Sequence, residues 1–309
     1  MNMTTPLVSV IIPTYNRADL ILRAVRSVQA QTYPNWEVIV VDDASADNTP
    51  AVLSAVHDPR VRVLRHEKNQ GPPATRNTGI AAARGEYLAF LDSDDEWLPQ
   101  KLKTQIAAMQ QHQAHFCYCQ TYVKSPGGTQ QAIPAAAYNG GSLLKYLICD
   151  GGCMQSSILV IHKDYVVPFD PGIVCHDDWD WVSRILEKKS KFLFVAQPLS
   201  HFHTDAKSRS TTSGKDGDAL FSEARGKLLW ERAQPFLKRH EAEISENPGV
   251  MRHLGCWYSQ DAFLRGNRKL ALNILWKHRI FPSFFSKPKA FKLWANCLNP
   301  IQQRRTRTP

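Results

Sequence analysis

No stretch of the 309 residues approaches the run of about 18 apolar side chains that a membrane-spanning helix needs. The first residues, Met1 to Pro6, lack the basic-then-apolar layout of an export signal, so a cytoplasmic protein is expected. The seven cysteines (117, 119, 149, 153, 175, 256 and 297) are odd in number and form no C-x-x-C unit, which argues against a disulfide framework and against a zinc site. Reduced, mostly buried thiols are the expectation. There is no G-x-x-x-x-G-K-[ST] loop and no G-x-G-x-x-G after the first apolar run, so the common glycine cradles for phosphate are excluded. Internal repeats are lacking too. What is present is ordinary globular usage, 43% hydrophobic and 21% charged, enough for one large domain or one domain with an appendage.

Acidic residues are also unevenly missing. From His201 onward there are 20 basic against 9 acidic residues, and after Asp261 no acid occurs at all. The formal charge of +10 therefore belongs to the C-terminal part, where Ile280, Phe281, Phe284, Phe285, Phe291, Leu293 and Trp294 are interleaved with Lys and Arg. Such a mixture suits an interfacial segment on an anionic membrane face, or a helical appendage packed on the main domain. No nucleic-acid-binding module accompanies the charge, so no nucleic-acid partner is expected.

Leu7 to Ile12 and Val38 to Val41 are β-branched runs, each followed by polar residues, and between them Ala18, Ile21, Leu22, Val25 and Val28 recur at helical spacing. That is one βαβ unit. The alternation continues with a strand at Val61 to Leu64, a helix near Ala74 to Arg84, a strand at Tyr87 to Leu91, a helix from about Pro99 to Gln113 and a strand from His115 to Tyr122. A loop from Lys124 to Gly141 follows, then a strand at Ser156 to His162, a helix at Asp177 to Lys189 and a strand at Phe192 to Ala196. An α/β fold with a mostly parallel, helix-covered sheet is predicted. Beyond it helices are expected at Ala219 to His240, kinked or ended by Pro235, at Gly249 to Leu264 and at Arg268 to Arg279. The predicted division is residues 1–215 and a basic helical region, 216–309.

Parallel sheets bind ligands beyond the carboxyl ends of their strands. Three polar clusters stand there: Pro13-Thr14-Tyr15-Asn16, Asp42-Asp43-Ala44-Ser45 and Asp92-Ser93-Asp94-Asp95-Glu96. The third sets four carboxylates in five residues, a density that solvent or a cation must offset. Mn²⁺ or Mg²⁺, held by one or two carboxylates plus substrate phosphates, fits Asp92 and Asp94. The alternative is a capping box, Ser93-x-x-Glu96, opening a helix. With no glycine cradle, a cation bridging a diphosphate is the remaining way to stabilise its charge.

Four segments, Val8 to Arg17, Trp36 to Ser45, Asn69-Gln70-Gly71 with Ala74-Thr75-Arg76-Asn77-Thr78-Gly79, and Phe90 to Asp95, resemble family 2 glycosyltransferases in order and separation over roughly residues 7–100, with weaker continuation to about 213. The resemblance implies a GT-A type nucleotide-binding sandwich and inverting transfer of a sugar from a nucleotide-diphosphate donor, a UDP-sugar, to a saccharide or lipid-linked saccharide of the cell envelope. It implies a nucleotide pocket of Pro13, Thr14, Tyr15 and Asp43, with Arg76 facing the donor phosphates or holding the acidic cluster in place. Thr75 stands where the family usually has Ala. Asp94 is implied as metal ligand and Asp92 as a contact to ribose or metal. An acceptor hydroxyl needs a base, and His176-Asp177-Asp178-Trp179-Asp180 resembles the family's acidic pair before a helix, with Asp177 where Glu is common. Asp178 is the expected base and Asp177 the alternative; both acids instead complementing a helix N-terminus is the bland reading. His201 or His203 completes a metal site on one reading and is solvated or packed on the other. Thr204 to Gly217, with Lys207 and Arg209, is expected to close over the donor. Two other functions fit the composition: a sugar nucleotidyltransferase, which the lack of glycine in Pro13 to Arg17 disfavours, and a non-catalytic polyanion-binding protein.

Overall fold

The structure is a computed structural model that describes residues 5–124, 130–203, 229–264 and 267–277. The segment 204–217 and the basic residues beyond 277 therefore lie outside the described residues. Strand β1 (Val8–Thr14) pairs in parallel with β2 (Trp36–Asp42) and with β4 (Tyr87–Phe90), and β2 pairs in parallel with β3 (Val61–Arg65). Successive residues of β1 divide between two apolar layers. Ile11 packs with Phe90, Trp181 and Phe169 on one face, while Val10 and Ile12 pack with Val25, Val38 and Leu102 on the other. Each fully buried aliphatic side chain of this kind contributes about 1.5–3 kcal/mol, which is why β-branched residues fill these central strands.

Helix α1 (Ile21–Gln29) covers one face with Ile21, Ala24, Val25 and Val28 buried. It begins later than the apolar spacing predicts, at Ile21, and ahead of it the amide of Arg17 donates to Thr49 Oγ1 at 2.8 Å and that of Ala18 to Asp47 Oδ2 at 3.2 Å. Helix α2 (Thr49–Ser54) is a short addition. Helix α3 (Pro72–Ala82) starts behind Gly71, whose φ of +86° is costly for any side chain with a Cβ, and its two prolines fit the first turn. It lies so close to β1 that a Cβ on Gly79 would stand 2.3 Å from Ile11 Cγ2.

The second half of the sheet departs from the expected parallel pattern. Strand β8 (Leu159–His162) pairs antiparallel with β4 and with β6 (Phe116–Lys124), and β7 (Gln130–Ile133), inside the segment read as loop, pairs antiparallel with β6. With β9 (Phe192–His203) and β5 (Glu96–Trp97), the strand order is β3-β2-β1-β4-β8-β6-β9-β5, with β7 beside β6, so parallel and antiparallel pairs are equal in number among the described residues. Strand β9 runs much further than Phe192 to Ala196, from Phe192 to His203, with register shifts against β6 that a periodicity of two cannot reveal. Its end pairs with the two-residue strand β5 (Glu96–Trp97). Glu96 therefore begins no helix, which removes the capping-box alternative; α4 (Lys101–His112) starts two residues after Pro99.

Helices α5 (Leu143–Ile148) and α6 (Asp177–Glu187) cover the other face, joined by α7 (Leu229–Arg239), α8 (Glu241–Glu246), α9 (Pro248–Leu264) and α10 (Arg268–Lys277). Pro235 sits inside α7 and does not end it. Ala233, Phe236, Val250, Leu254 and Tyr258 share one apolar core with Trp181, Leu144 and Phe90. The C-terminal helices thus pack on the sheet's own covering layer.

Candidate active site

The register of the parallel strands sets the three polar clusters along one edge, since Thr14 lies level with Asp42 and Phe90 level with Ile11. Asn16, at φ +48°, stitches the first two clusters together. Its amide donates to Ser45 Oγ at 2.9 Å, and its side-chain oxygen accepts from the Ala46 amide at 2.9 Å. Pro13 and Thr14 end β1, Thr14 buried, and Tyr15 is half-buried at the start of this turn.

Asp43 is almost wholly buried and heavily engaged. Oδ1 accepts from the Gln70 amide at 2.9 Å and lies 2.7 Å from His66 Nδ1, while Oδ2 accepts from the Gly71 amide at 2.8 Å. His66 Nε2 in turn lies 2.8 Å from Thr78 Oγ1 on α3. Asp43 therefore fixes the loop that launches α3, and a carboxylate with about four lone-pair sites keeps capacity for one more donor.

One turn into α3, Arg76 joins two carboxylates from distant parts of the chain. Its Nη1 lies 2.5 Å from Asp177 Oδ2 and its Nη2 3.0 Å from Asp92 Oδ1, with the arginine side chain only 8% exposed. The negative charge of Asp177, Asp92 and Asp178 outweighs burial and holds the guanidinium firmly charged. Arg76 thus links the end of β4 to the first turn of α6.

Asp92 is 31% exposed at the side chain, and its Oδ1 also accepts from Ser156 Oγ at 3.1 Å. The Asp92 amide donates to Ser157 Oγ, which donates to Asp95 Oδ2 at 2.8 Å. Asp94 is buried, its backbone oxygen accepting from Arg23 Nη2. His203 comes to the same cluster through β9: its amide donates to Asp95 Oδ1 at 3.3 Å and its Nε2 lies 3.4 Å from Glu96 Oε2. Among the described residues no group of three or more His, Cys, Asp or Glu side chains stands close enough to hold a metal by itself. The donor set nonetheless fits a hard divalent ion, which needs only one or two carboxylates when diphosphate oxygens complete its shell.

Asn77 of α3 ties down the segment that precedes α6, its side chain making paired bonds with the Phe169 backbone at 2.8 and 2.7 Å. Asp177 and Asp178, in the first turn of α6, are half-buried. Burial pushes Asp177 up from the ordinary carboxylate range, against the pull of Arg76 and with the help of Asp92. Burial, then the charge of Asp177, pushes Asp178 up to about 7, with Arg76 opposing. A carboxylate poised near neutrality can take a proton from a hydroxyl at working pH.

Ser156 and Ser157 escaped the sequence reading because Ser156 to His162 reads as one strand. In the structure Ser156–Ile158 is a 3₁₀ turn that aims both hydroxyls at the acids. His66 was missed too, and no pattern around it signals its contact with Asp43.

The model for "Glycosyl transferase family 2" matches residues 9–150. The UDP-Glc:alpha-D-GlcNAc-diphosphoundecaprenol beta-1,3-glucosyltransferase WfgD of Escherichia coli is 36% identical over 214 residues, 68% of this chain and 82% of WfgD. The succinoglycan biosynthesis protein ExoO of Rhizobium meliloti is 50% identical over 101 residues, 33% of this chain but only 29% of ExoO. For some of these relatives, then, the matched stretch spans less than half of their length. Among solved structures, S. aureus TarS 1-349 in complex with UDP-GlcNAc superposes with a TM-score of 0.59 at 19% identity, over 81% of this chain and 80% of that one. That likeness establishes the GT-A fold.

Proposed function

The chain belongs to glycosyl transferase family 2, and from that premise we propose that it is an inverting glycosyltransferase that moves a sugar from a UDP-sugar to a lipid-linked saccharide during cell-envelope polysaccharide synthesis. The observation that carries this reading is the Asp92–Arg76–Asp177 bridge, which brings the acidic end of β4 against the first turn of α6. The donor's base rests near Pro13, Thr14 and Tyr15, where an aromatic ring can stack, and Asp43 accepts its imide N–H. Asp178 takes the proton of the acceptor hydroxyl as that oxygen attacks the anomeric carbon from the face opposite the departing diphosphate. Asp177, tied to Arg76, keeps the first turn of α6 in register and raises the basicity of Asp178.

Asp94, with Asp92, would hold Mn²⁺ or Mg²⁺, and His203, whose ring faces Glu96, would be a further ligand if that pairing opens. When bound, such an ion supplies positive charge to the leaving diphosphate. The diphosphoundecaprenol-linked acceptor named for WfgD supports a lipid-linked acceptor here as well. Trp257 and Trp276 are 47% and 77% exposed on α9 and α10, ahead of an acid-free basic stretch, which supports peripheral contact with the anionic inner face of the membrane. Among the described residues no helix is long and apolar enough to cross a membrane. We take residues 1–215 as the glycosyltransferase domain and 216–309 as the basic helical region.

The test is UDP release from a panel of UDP-sugars, with Mn²⁺ and a lipid bearing α-GlcNAc-diphosphate. Sugar transfer that stops with EDTA and returns with Mn²⁺ is expected. Turnover unaffected by EDTA contradicts the metal, and no transfer from any UDP-sugar contradicts the donor class.

A further inference from the structure

His176 immediately precedes the acidic pair and adopts φ +60° and ψ +31°, a left-handed conformation that costs a residue with a side chain about 1–3 kcal/mol unless its surroundings impose it. The conformation turns the chain into α6, so it sets the direction in which Asp177 and Asp178 leave the backbone. No side-chain cap holds this helix start. Instead the His176 ring stacks on Trp179 of its own helix at 4.5 Å and 10°, and its remaining contacts come from C-terminal helices. Nε2 lies 3.0 Å from the Tyr258 hydroxyl on α9, and the Phe236 ring of α7 stands 5.1 Å away. Burial, with the charge of Arg232 adding to it, lowers His176 to about 3, so the ring is neutral and one hydrogen bond joins it to Tyr258.

The same helices grip the segment on both sides of His176. Arg232 donates to the Val174 carbonyl at 3.4 Å. Asp180, fully buried, accepts from Arg239 at 3.2 Å and lies 3.2 Å from His240 Nε2, while Arg184 of α6 donates to it at 2.9 Å. Burial raises Asp180, but His240, Arg184 and Arg239 outweigh it and hold the group below the usual carboxylate range. Arg239 also reaches Asp170 at 2.5 Å.

We propose that Tyr258, acting through His176, is a positioning residue for Asp178, and that α7 and α9 belong to the catalytic apparatus of this enzyme. The inference rests on Asp178 being the base. Tyr258 touches no reacting atom; it fixes the turn from which the base projects. A misplacement of the order of 1 Å in such a group costs up to about 100-fold in rate, so loss of one supporting bond is expected to cost about tenfold.

Four variants of the full chain separate the possibilities: Tyr258→Phe, His176→Asn, His176→Gln and Asp178→Asn. Asn tolerates the left-handed conformation but is too short to reach Tyr258, whereas Gln can place its amide near the position of Nε2. For Tyr258→Phe and His176→Asn we expect kcat to fall about tenfold, with the KM for the UDP-sugar that the panel identifies and the calorimetric Kd for UDP with Mn²⁺ unchanged. His176→Gln should recover most of kcat, and the melting temperature of Tyr258→Phe should stay within about 3 °C of the parent. Parental kcat in Tyr258→Phe overturns the proposal, as does a kcat loss matched by an equal loss of UDP affinity. If Asp178→Asn is inactive while Tyr258→Phe is normal, only the positioning role falls. If Asp178→Asn keeps its activity, the base assignment falls and the positioning role with it.

Discussion

Replacing Arg76 by Met keeps an unbranched apolar stem and removes the charge that touches both Asp92 and Asp177. Breaking a buried ion pair from one side typically costs about 3–5 kcal/mol, because an uncompensated charge stays behind. Here the stranded carboxylates are 31% and 19% exposed, so water recovers part of the loss. A deficit of about 2–3 kcal/mol at pH 8 is expected, or about 3–5 °C in melting temperature for a chain of this size. The sign of its pH dependence follows from the same geometry. Arg76 pulls the acids Asp177 and Asp178 down, so its removal lifts them further above their unfolded values. Groups raised in the folded state weaken folding above their unfolded range, and protonation on acidification relieves that penalty. The deficit should therefore be largest at pH 8 and shrink toward pH 5. Thermal unfolding followed by circular dichroism at both pH values measures it, and Asp177→Asn added to Arg76→Met should recover about half of the loss. A deficit under about 1 kcal/mol at pH 8, or one equal at pH 5, refutes the bridge as the element that holds the site together.

Asp178 at about 7 predicts a kcat/KM that climbs between pH 6 and pH 8 and then levels, since the base works only when deprotonated; a flat profile over that window contradicts it. Asp178→Asn should lower kcat by at least about 100-fold while leaving UDP binding intact, measured by UDP release and calorimetry. Asp43→Asn puts an amide donor among the Gln70 and Gly71 amides, so UDP affinity should drop about tenfold or more, and unchanged affinity removes Asp43 from the base pocket. Gly79→Ala drives a methyl into Ile11 and should cost about 1–3 kcal/mol in denaturant unfolding; a neutral result means that α3 can lift from β1 cheaply.

Strands β1, β2 and β4 were legible because they are almost wholly buried and α1 between the first two is amphipathic, so the apolar pattern and the burial coincide. The polar residues at the strand ends followed from that, and with them the positions of Asp43, Asp92 and Asp94. What composition hid depends on pairing across long distances. The extension of β9 to His203 is set by its partners β6 and β5, not by alternation in its own sequence. Ser156 and Ser157 read as strand because they adjoin an apolar run, yet their hydroxyls are drawn out of the ladder by Asp92 and Asp95. The two roles open for Arg76 could not be separated without knowing that Asp177, 101 residues away, returns to meet it. The conformation of His176 was invisible for the same reason, since Tyr258 lies 82 residues further on.

A crystal structure with UDP and Mn²⁺ addresses the central claim most directly. Uracil beside Tyr15 and Asp43, diphosphate and metal at Asp92 and Asp94, and Asp178 facing the open end of the diphosphate are the predicted arrangement. UDP bound away from this edge of the sheet, or Asp178 turned from it with the nucleotide in place, contradicts the account.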